Sequence, residues 1–225
     1  MQSRRAGQTP DLEAEARSWA DGLSDLLNRT ITDGVRLSAV VRQGGLCTVA
    51  RGVTKTSLTP GVIPLTISQA PARCFLYAAW TLDIDSESDR LTVTKSKFAL
   101  RNDDQEGKDI FSYEYGTDPD EEYPEAHLHV AGESPLLEQL CERTGADKRL
   151  RDLHFPVGGR RFRPSLEDVI EMLVAEGFVK ARPGWEDAID ASRRAFQAGQ
   201  LRAAIRQDLG PAREELEALD RETAT

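Results

Sequence analysis

The feature that most constrains the fold is a change in hydrophobic period along the 225 residues, from about 3.6 to 2 and back again. Leu12, Ala16, Trp19, Leu23, Leu26 and Leu27 recur at spacings of three and four. They predict an opening helix with one buried stripe that runs to about Asn28, with Thr9-Pro10 as its cap and first-turn proline. After "TDG" the period falls to two. "VRLSAVV" (35–41) and "LCTVARGV" (46–53) read as an antiparallel hairpin about the turn "QGG". "VIPLTIS" (62–68) alternates but carries Pro64, which makes it an edge strand. "RCFLYAAWTLDID" (73–85) is apolar enough for a central strand, and "RLTVTKSKFAL" (90–100) returns after "SESD". "DIFSYEY" (109–115) and "AHLHV" (126–130) complete a run of about seven strands.

From Ser134 the helical period comes back. "SPLLEQLCERTG" (134–145) opens on Ser-Pro and closes on Gly, and "PSLEDVIEMLVAEG" (164–177) has Ser165 and Asp168 in capping-box positions with Gly177 as its stop. "RPG" at 182–184 breaks the chain before a helix-rich tail, Trp185 to Glu222. In that tail Trp185, Ile189 and Phe196 form one stripe, Leu201 and Ile205 another, and Gly210-Pro211 sets off a last charged helix. The tail suits packing on the sheet or pairing with another chain. Strands first and helices later predict an α+β fold: an antiparallel sheet with an N-terminal helix and C-terminal helices. The expected organisation is a disordered start (1–8), an α+β core domain (9–180) and a helical C-terminal extension (181–225).

Charge and cysteine usage bound the function. The longest strongly apolar run, "CFLYAAW" (74–80), is too short to cross a bilayer, and "MQSRRAGQTP" has no apolar segment behind its arginines, so a cytoplasmic protein without a membrane partner is expected. Cys47, Cys74 and Cys141 are far apart and form no Cys-x-x-Cys pair, which suits reduced thiols. A net charge of −9 repels nucleic acid at long range, so any nucleic-acid role must rest on local cations.

The candidate site is "YPEAHLHVAGE" (123–133). Residues i and i+2 of a strand share a face, so His127 and His129 point together, roughly 7 Å apart, while Leu128 and Val130 point the other way. Three uses fit. Neutral imidazoles are good ligands for zinc, iron or nickel, with His154 as a third if the intervening helix folds it back. Alternatively one imidazole removes a proton from a phosphodiester and the other donates one, with Arg160, Arg161 and Arg163 of "GGRRFRPS" as anion clamps before a helix N-terminus. In the plain structural reading the histidines merely hydrogen-bond Glu114 or Glu125, and the arginines offset the acidic loop at 118–125. Phe111, Tyr113 and Tyr115 alternate on one strand, a pattern for base stacking or, more commonly, for core packing. Asp83, Asp85 and Asp89 lack the spacing of an EF-hand and suit a turn.

The strand "SYEY" (112–115), the proline before "PEAHLHV" (124–130) and the later "RPSLEDVIEML" together resemble the layout of TumE-type toxins of bacterial toxin-antitoxin pairs, over about residues 90–177. They also resemble uncharacterised actinobacterial proteins with similar "HFPVGGRRFRPSLEDV" segments. The resemblance implies a histidine strand at His127 and His129, an RNA-directed or growth-inhibiting activity, and a cognate antitoxin partner. The primary expectation is a cytosolic bacterial protein that binds or acts on RNA or a phosphate-bearing ligand. The alternatives are a non-catalytic protein-protein interaction module and a metal-dependent hydrolase using the three histidines.

Overall fold

The computed structural model describes residues 11–68, 71–86, 88–104, 109–117, 123–145, 147–158 and 163–223. Helix α1 (Leu12–Thr30) leads into strands β1 (Leu37–Val41), β2 (Cys47–Arg51), β3 (Ile63–Pro64), β4 (Phe75–Asp85), β5 (Arg90–Arg101), β6 (Asp109–Gly116) and β7 (Ala126–Val130). Helix α2 (Pro135–Thr144), a 3-10 turn (Leu150–Asp152) and strand β8 (Phe155–Pro156) follow, then helices α3 (Leu166–Ala175), α4 (Trp185–Gln207) and α5 (Leu209–Thr223). The eight strands make one antiparallel sheet in the order β1-β2-β4-β5-β6-β7-β8, with β3 paired to β4 off that path. The α+β class, with strands before the late helices, is as expected.

Strand alternation decides which face is buried. Along β4, Leu76, Ala78, Trp80 and Leu82 are buried while Tyr77, Ala79 and Thr81 are half-exposed. The buried face meets Leu26, Leu27 and Ile31 from the α1 end and Val169, Ile170 and Leu173 of α3 in one core. Trp80 anchors the contact: Trp19 meets it edge-on at 5.2 Å and Phe98 of β5 at 5.4 Å, geometries that add to simple area burial. No helix covers the opposite face in the same way. It keeps a small apolar patch of Val40, Ala50, Val53 and Ala79 and turns polar towards β5, β6 and β7.

The helix-to-strand corner is held by polar groups. Asn28 Nδ2 donates to the Val35 carbonyl at 2.7 Å and its Oδ1 accepts from the Val35 amide at 2.8 Å, so one side chain imitates a strand neighbour. Arg182 reaches back from the segment before α4: its amide donates to the Thr30 carbonyl at 2.8 Å, and its guanidinium meets the Thr32 carbonyl and Asp33. The amide satisfies a carbonyl that the end of α1 leaves over, and the guanidinium takes the next one just beyond the helix. The first half of α4 belongs to the core, with Ala188 and Ile189 buried, and Ser192 donating to Glu167 of α3 at 2.5 Å.

Several expected boundaries shift. The cap of α1 is Asp11, whose carboxylate accepts from the amides of Glu13 and Ala14; Thr9, Pro10 and the expected disordered start lie outside the described residues. The strand at 62–68 shrinks to Ile63–Pro64, because proline has no amide to extend the ladder. The tail break falls at Asp208, and Gly210-Pro211 occupies the first turn of α5, where a missing amide costs nothing. Strand β8 is too short to show a period. The capping box of Ser165 and Asp168 is present as read.

Leu27 is fully buried, whereas Leu136 on α2 is 76% exposed. Leu27→Ala is expected to lower unfolding free energy by about 2–5 kcal/mol, and Leu136→Ala to stay within about 0.5 kcal/mol of the parent, measured by urea titration.

Candidate metal centre

Strand β7 runs antiparallel to β6 with Glu114 opposite His127 and Ser112 opposite His129. This register turns both imidazoles to the face away from α1 and α3. His154 reaches them by a return of the chain. Gly132, at φ 151°, turns it out of β7, α2 is capped by the Ser134 hydroxyl and stopped by left-handed Gly145, and the 3-10 turn packs beside β7. Arg149 and Asp152 close that turn, the Asp152 carboxylate accepting from the Arg149 amide at 2.9 Å. Strand β8 then pairs with β7, His127 opposite Pro156 and Leu128 opposite Phe155.

The three rings converge. Their centroids lie 4.9 Å (His127–His129), 4.8 Å (His127–His154) and 4.5 Å (His129–His154) apart, and one ring nitrogen from each lies within 4.8 Å of the others. Nitrogens around a tetrahedral zinc at about 2.0–2.1 Å stand roughly 3.3 Å apart, so an ion would draw the set in by about an ångström or so. His127 is buried, while His129 and His154 are half-buried.

Hydrogen bonds fix which nitrogen is available. Nδ1 of His127 lies 2.8 Å from the Pro124 carbonyl and Nδ1 of His129 lies 3.1 Å from the Arg151 carbonyl. A carbonyl only accepts, so Nδ1 carries the proton in both rings and Nε2 presents its lone pair, as in metal-bound imidazoles oriented from behind. The carboxylate partners considered from sequence, Glu114 and Glu125, do not take these bonds. Tyr123 stacks on His154 at 3.6 Å with the planes 5° apart, which sets the third ring's orientation. Burial, followed by the neighbouring His129 and His127, pushes the His154 pKa down; it stays neutral, as a ligand must.

Beside the histidines lies a charged network that sequence reading did not single out. Lys97 of β5 donates to Asp109 and to Glu114, both at 2.9 Å, and Arg101 Nε donates to Asp109 at 2.5 Å. Burial favours the neutral form of each, yet the pairing outweighs it, so Lys97 is raised and Asp109 and Glu114 are lowered. A hydrogen bond from Ser112 also helps to hold Glu114 ionised. Two clefts adjoin the network. One of about 380 Å³ runs from Arg42 and Thr48 past Tyr77, Lys95 and Lys97 to Glu114 and His127. The other, of about 570 Å³, joins Lys97, Asp109 and Glu114 to His129 and Arg151. The period-two pattern of "TKSKF" was the available signal, since it places Lys95 and Lys97 on one face.

The remaining sequence candidates lie elsewhere. Arg160 and Arg161 fall outside the described residues. The Arg163 guanidinium sits 4.0 Å from the centre of the Tyr115 ring, and strand alternation turns Tyr115 to the face opposite Glu114 and His127, so Arg163 does not join the imidazoles as an anion clamp. Phe111 and Tyr113 pack against the core rather than offering a stacking platform. Asp85 accepts from the Ser88 amide at 2.8 Å, a turn contact.

Because Asp109 and Glu114 are depressed below 3.8 and 4.5, their stabilisation is present above those values and fades as pH falls through the lower folded ones. Raised Lys97 contributes below 10.5 and loses its contribution as pH rises beyond its folded value. Lys97→Met is therefore expected to have a lower urea midpoint than the parent at neutral pH, and the two midpoints should converge as pH falls through the lowered folded values of Asp109 and Glu114. No family model, curated protein or solved structure matches this chain.

Proposed function

We propose that the chain is a metal-dependent hydrolase, with one zinc-class divalent ion on His127, His129 and His154 and a phosphate-bearing substrate lying along the cleft of Arg42, Lys95 and Lys97. The observation that carries the metal is the convergence of three imidazole nitrogens within 4.8 Å of one another, two of them with Nδ1 committed to backbone carbonyls. Three protein ligands with a further coordination position open is the arrangement of catalytic rather than structural zinc. Such an ion supplies Lewis acidity and a water acidified to a pKa of about 7.

The same geometry disfavours the simple acid–base pair. Centroids 4.9 Å apart leave no room for a phosphoryl group between the rings. Substrate class is supported by charge: Arg42, Lys95, Lys97 and Arg151 line the two clefts that reach the histidines, against Asp109 and Glu114. Glu114, held ionised by Lys97 and Ser112, places a fixed negative charge in the strand pair beside His127. The resemblance of residues 90–177 to TumE-type toxins makes RNA the first polymer to test, with the local cations countering a net charge of −9. No helix among the described residues is long and apolar enough to cross a membrane.

Protein purified without chelator is expected to hold about one zinc-class ion per chain by elemental analysis, and each of His127→Ala, His129→Ala and His154→Ala should strip it while the fold persists by circular dichroism. Tyr123→Ala should weaken binding by about 10–100-fold, as loss of an orienting partner does. Less than a tenth of an equivalent in the parent sinks the metal reading. Hydrolysis of labelled RNA or of a nitrophenyl phosphate that survives in the histidine variants sinks the assignment of the reaction to this centre.

A further inference from the structure

The C-terminal arm carries an apolar stripe that is independent of the histidine site. Leu201, Ile205, Leu209, Leu216 and Leu219 are 61, 38, 48, 62 and 47% exposed. With Ala212 they are spaced by four, four, three, four and three, a seam in two halves, one on each helix, on either side of the extended residue Asp208. Among the described residues no element other than α4 packs substantially against α5. Nor can α5 fold back along α4, because a single non-helical residue, Asp208, separates them and antiparallel helix hairpins need about 2–5 residues.

Charge divides the arm in two. From Ala191 to Gln207 the chain has no acidic residue, and once Arg193 is taken by Glu171 and Asp168 of α3 it still offers Arg194, Arg202 and Arg206. Helix α5 reverses the sign, with Glu214, Glu215, Glu217, Asp220 and Glu222 against Arg213 and Arg221. Helix α5 has 15 residues, about 22 Å, and the outer part of α4 beyond Ser192 is of similar length.

We propose that the arm is a homodimerisation element in which two copies of this chain cross about a two-fold axis near Asp208, each outer α4 lying antiparallel to the acidic α5 of the other. This is a closed, self-complementary contact. It buries both halves of the seam and sets Arg202 within a turn of Glu214 of the partner subunit. Pairing α5 with its own copy would crowd the carboxylates, and pairing α4 with its own copy would crowd the arginines.

Sedimentation velocity and light scattering on the full chain at about 10–100 µM in low salt are expected to give twice the chain mass, with dissociation favoured as salt rises. Leu216→Asp with Leu219→Asp should yield a monomer with an unchanged circular dichroism spectrum, since both side chains are exposed. Arg202→Glu with Arg206→Glu, and separately Glu214→Arg with Glu215→Arg and Glu217→Arg, should each weaken association by about tenfold or more, and mixing the two variants should restore a heterodimer. A parent that is monomeric at 100 µM overturns the proposal, even if the stripe then serves another partner. So does a dimer indifferent to both charge reversals, or a mixture that does not recover.

Discussion

One-sided burial of the sheet is the constraint from which the rest follows. Leu76, Ala78, Trp80 and Leu82 commit one face of β4 to the core shared with α1 and α3, and the period of two then sends Tyr77, Ala79 and Thr81 the other way. The same alternation runs across the ladder into β5, β6 and β7, so Lys97, Glu114 and His127 form one cross-strand row on the open face. A slip of one residue in β7 would exchange His127 and His129 for Leu128 on that face. Register is therefore a chemical matter here as well as a packing one.

The open face can carry charge because its charges are paired with one another. Lys97 neutralises Asp109 and Glu114 together, and Arg101, almost wholly buried itself, holds Asp109 from the other side while lying over the Tyr77 ring at 4.8 Å. Partly buried carboxylates without such partners would take up protons. Held ionised, Glu114 is a fixed negative charge at the wall shared by the two clefts, beside the imidazole cluster. Burial costs something at this site, and the network keeps Asp109 and Glu114 ionised in spite of it.

Legibility in the sequence followed local physics. The opening helix, the hairpins of β1–β2 and β4–β5 and the capping box of α3 were readable because Leu27, Leu82 or Ser165 each act within a few residues of their own position. His127 and His129 were readable for the same reason. That His154 completes the set was open from sequence, since it depends on a return through α2, the 3-10 turn and a two-residue strand that has no period to detect. Tyr123 and Lys97 were not legible as site residues because stacking on an imidazole and bridging two carboxylates are made across strands and loops; period two puts Lys97 on the open face without showing its partners. Arg163 misled for the converse reason: proximity to other arginines in sequence said nothing of the Tyr115 ring that it covers.

The way His154 is delivered has a consequence for how site and fold depend on each other. His127 takes its carbonyl from Pro124, just before β7, but His129 takes its carbonyl from Arg151, in the turn that also leads to His154. The segment 147–158 thus supplies one histidine of the cluster, a carbonyl that orients a second, and the strand that covers the edge of β7. Docking that segment costs chain entropy that a two-residue strand and a 3-10 turn offset poorly on their own. An ion held by three imidazoles would contribute the missing stabilisation, so that closing the sheet edge and forming the centre become one event.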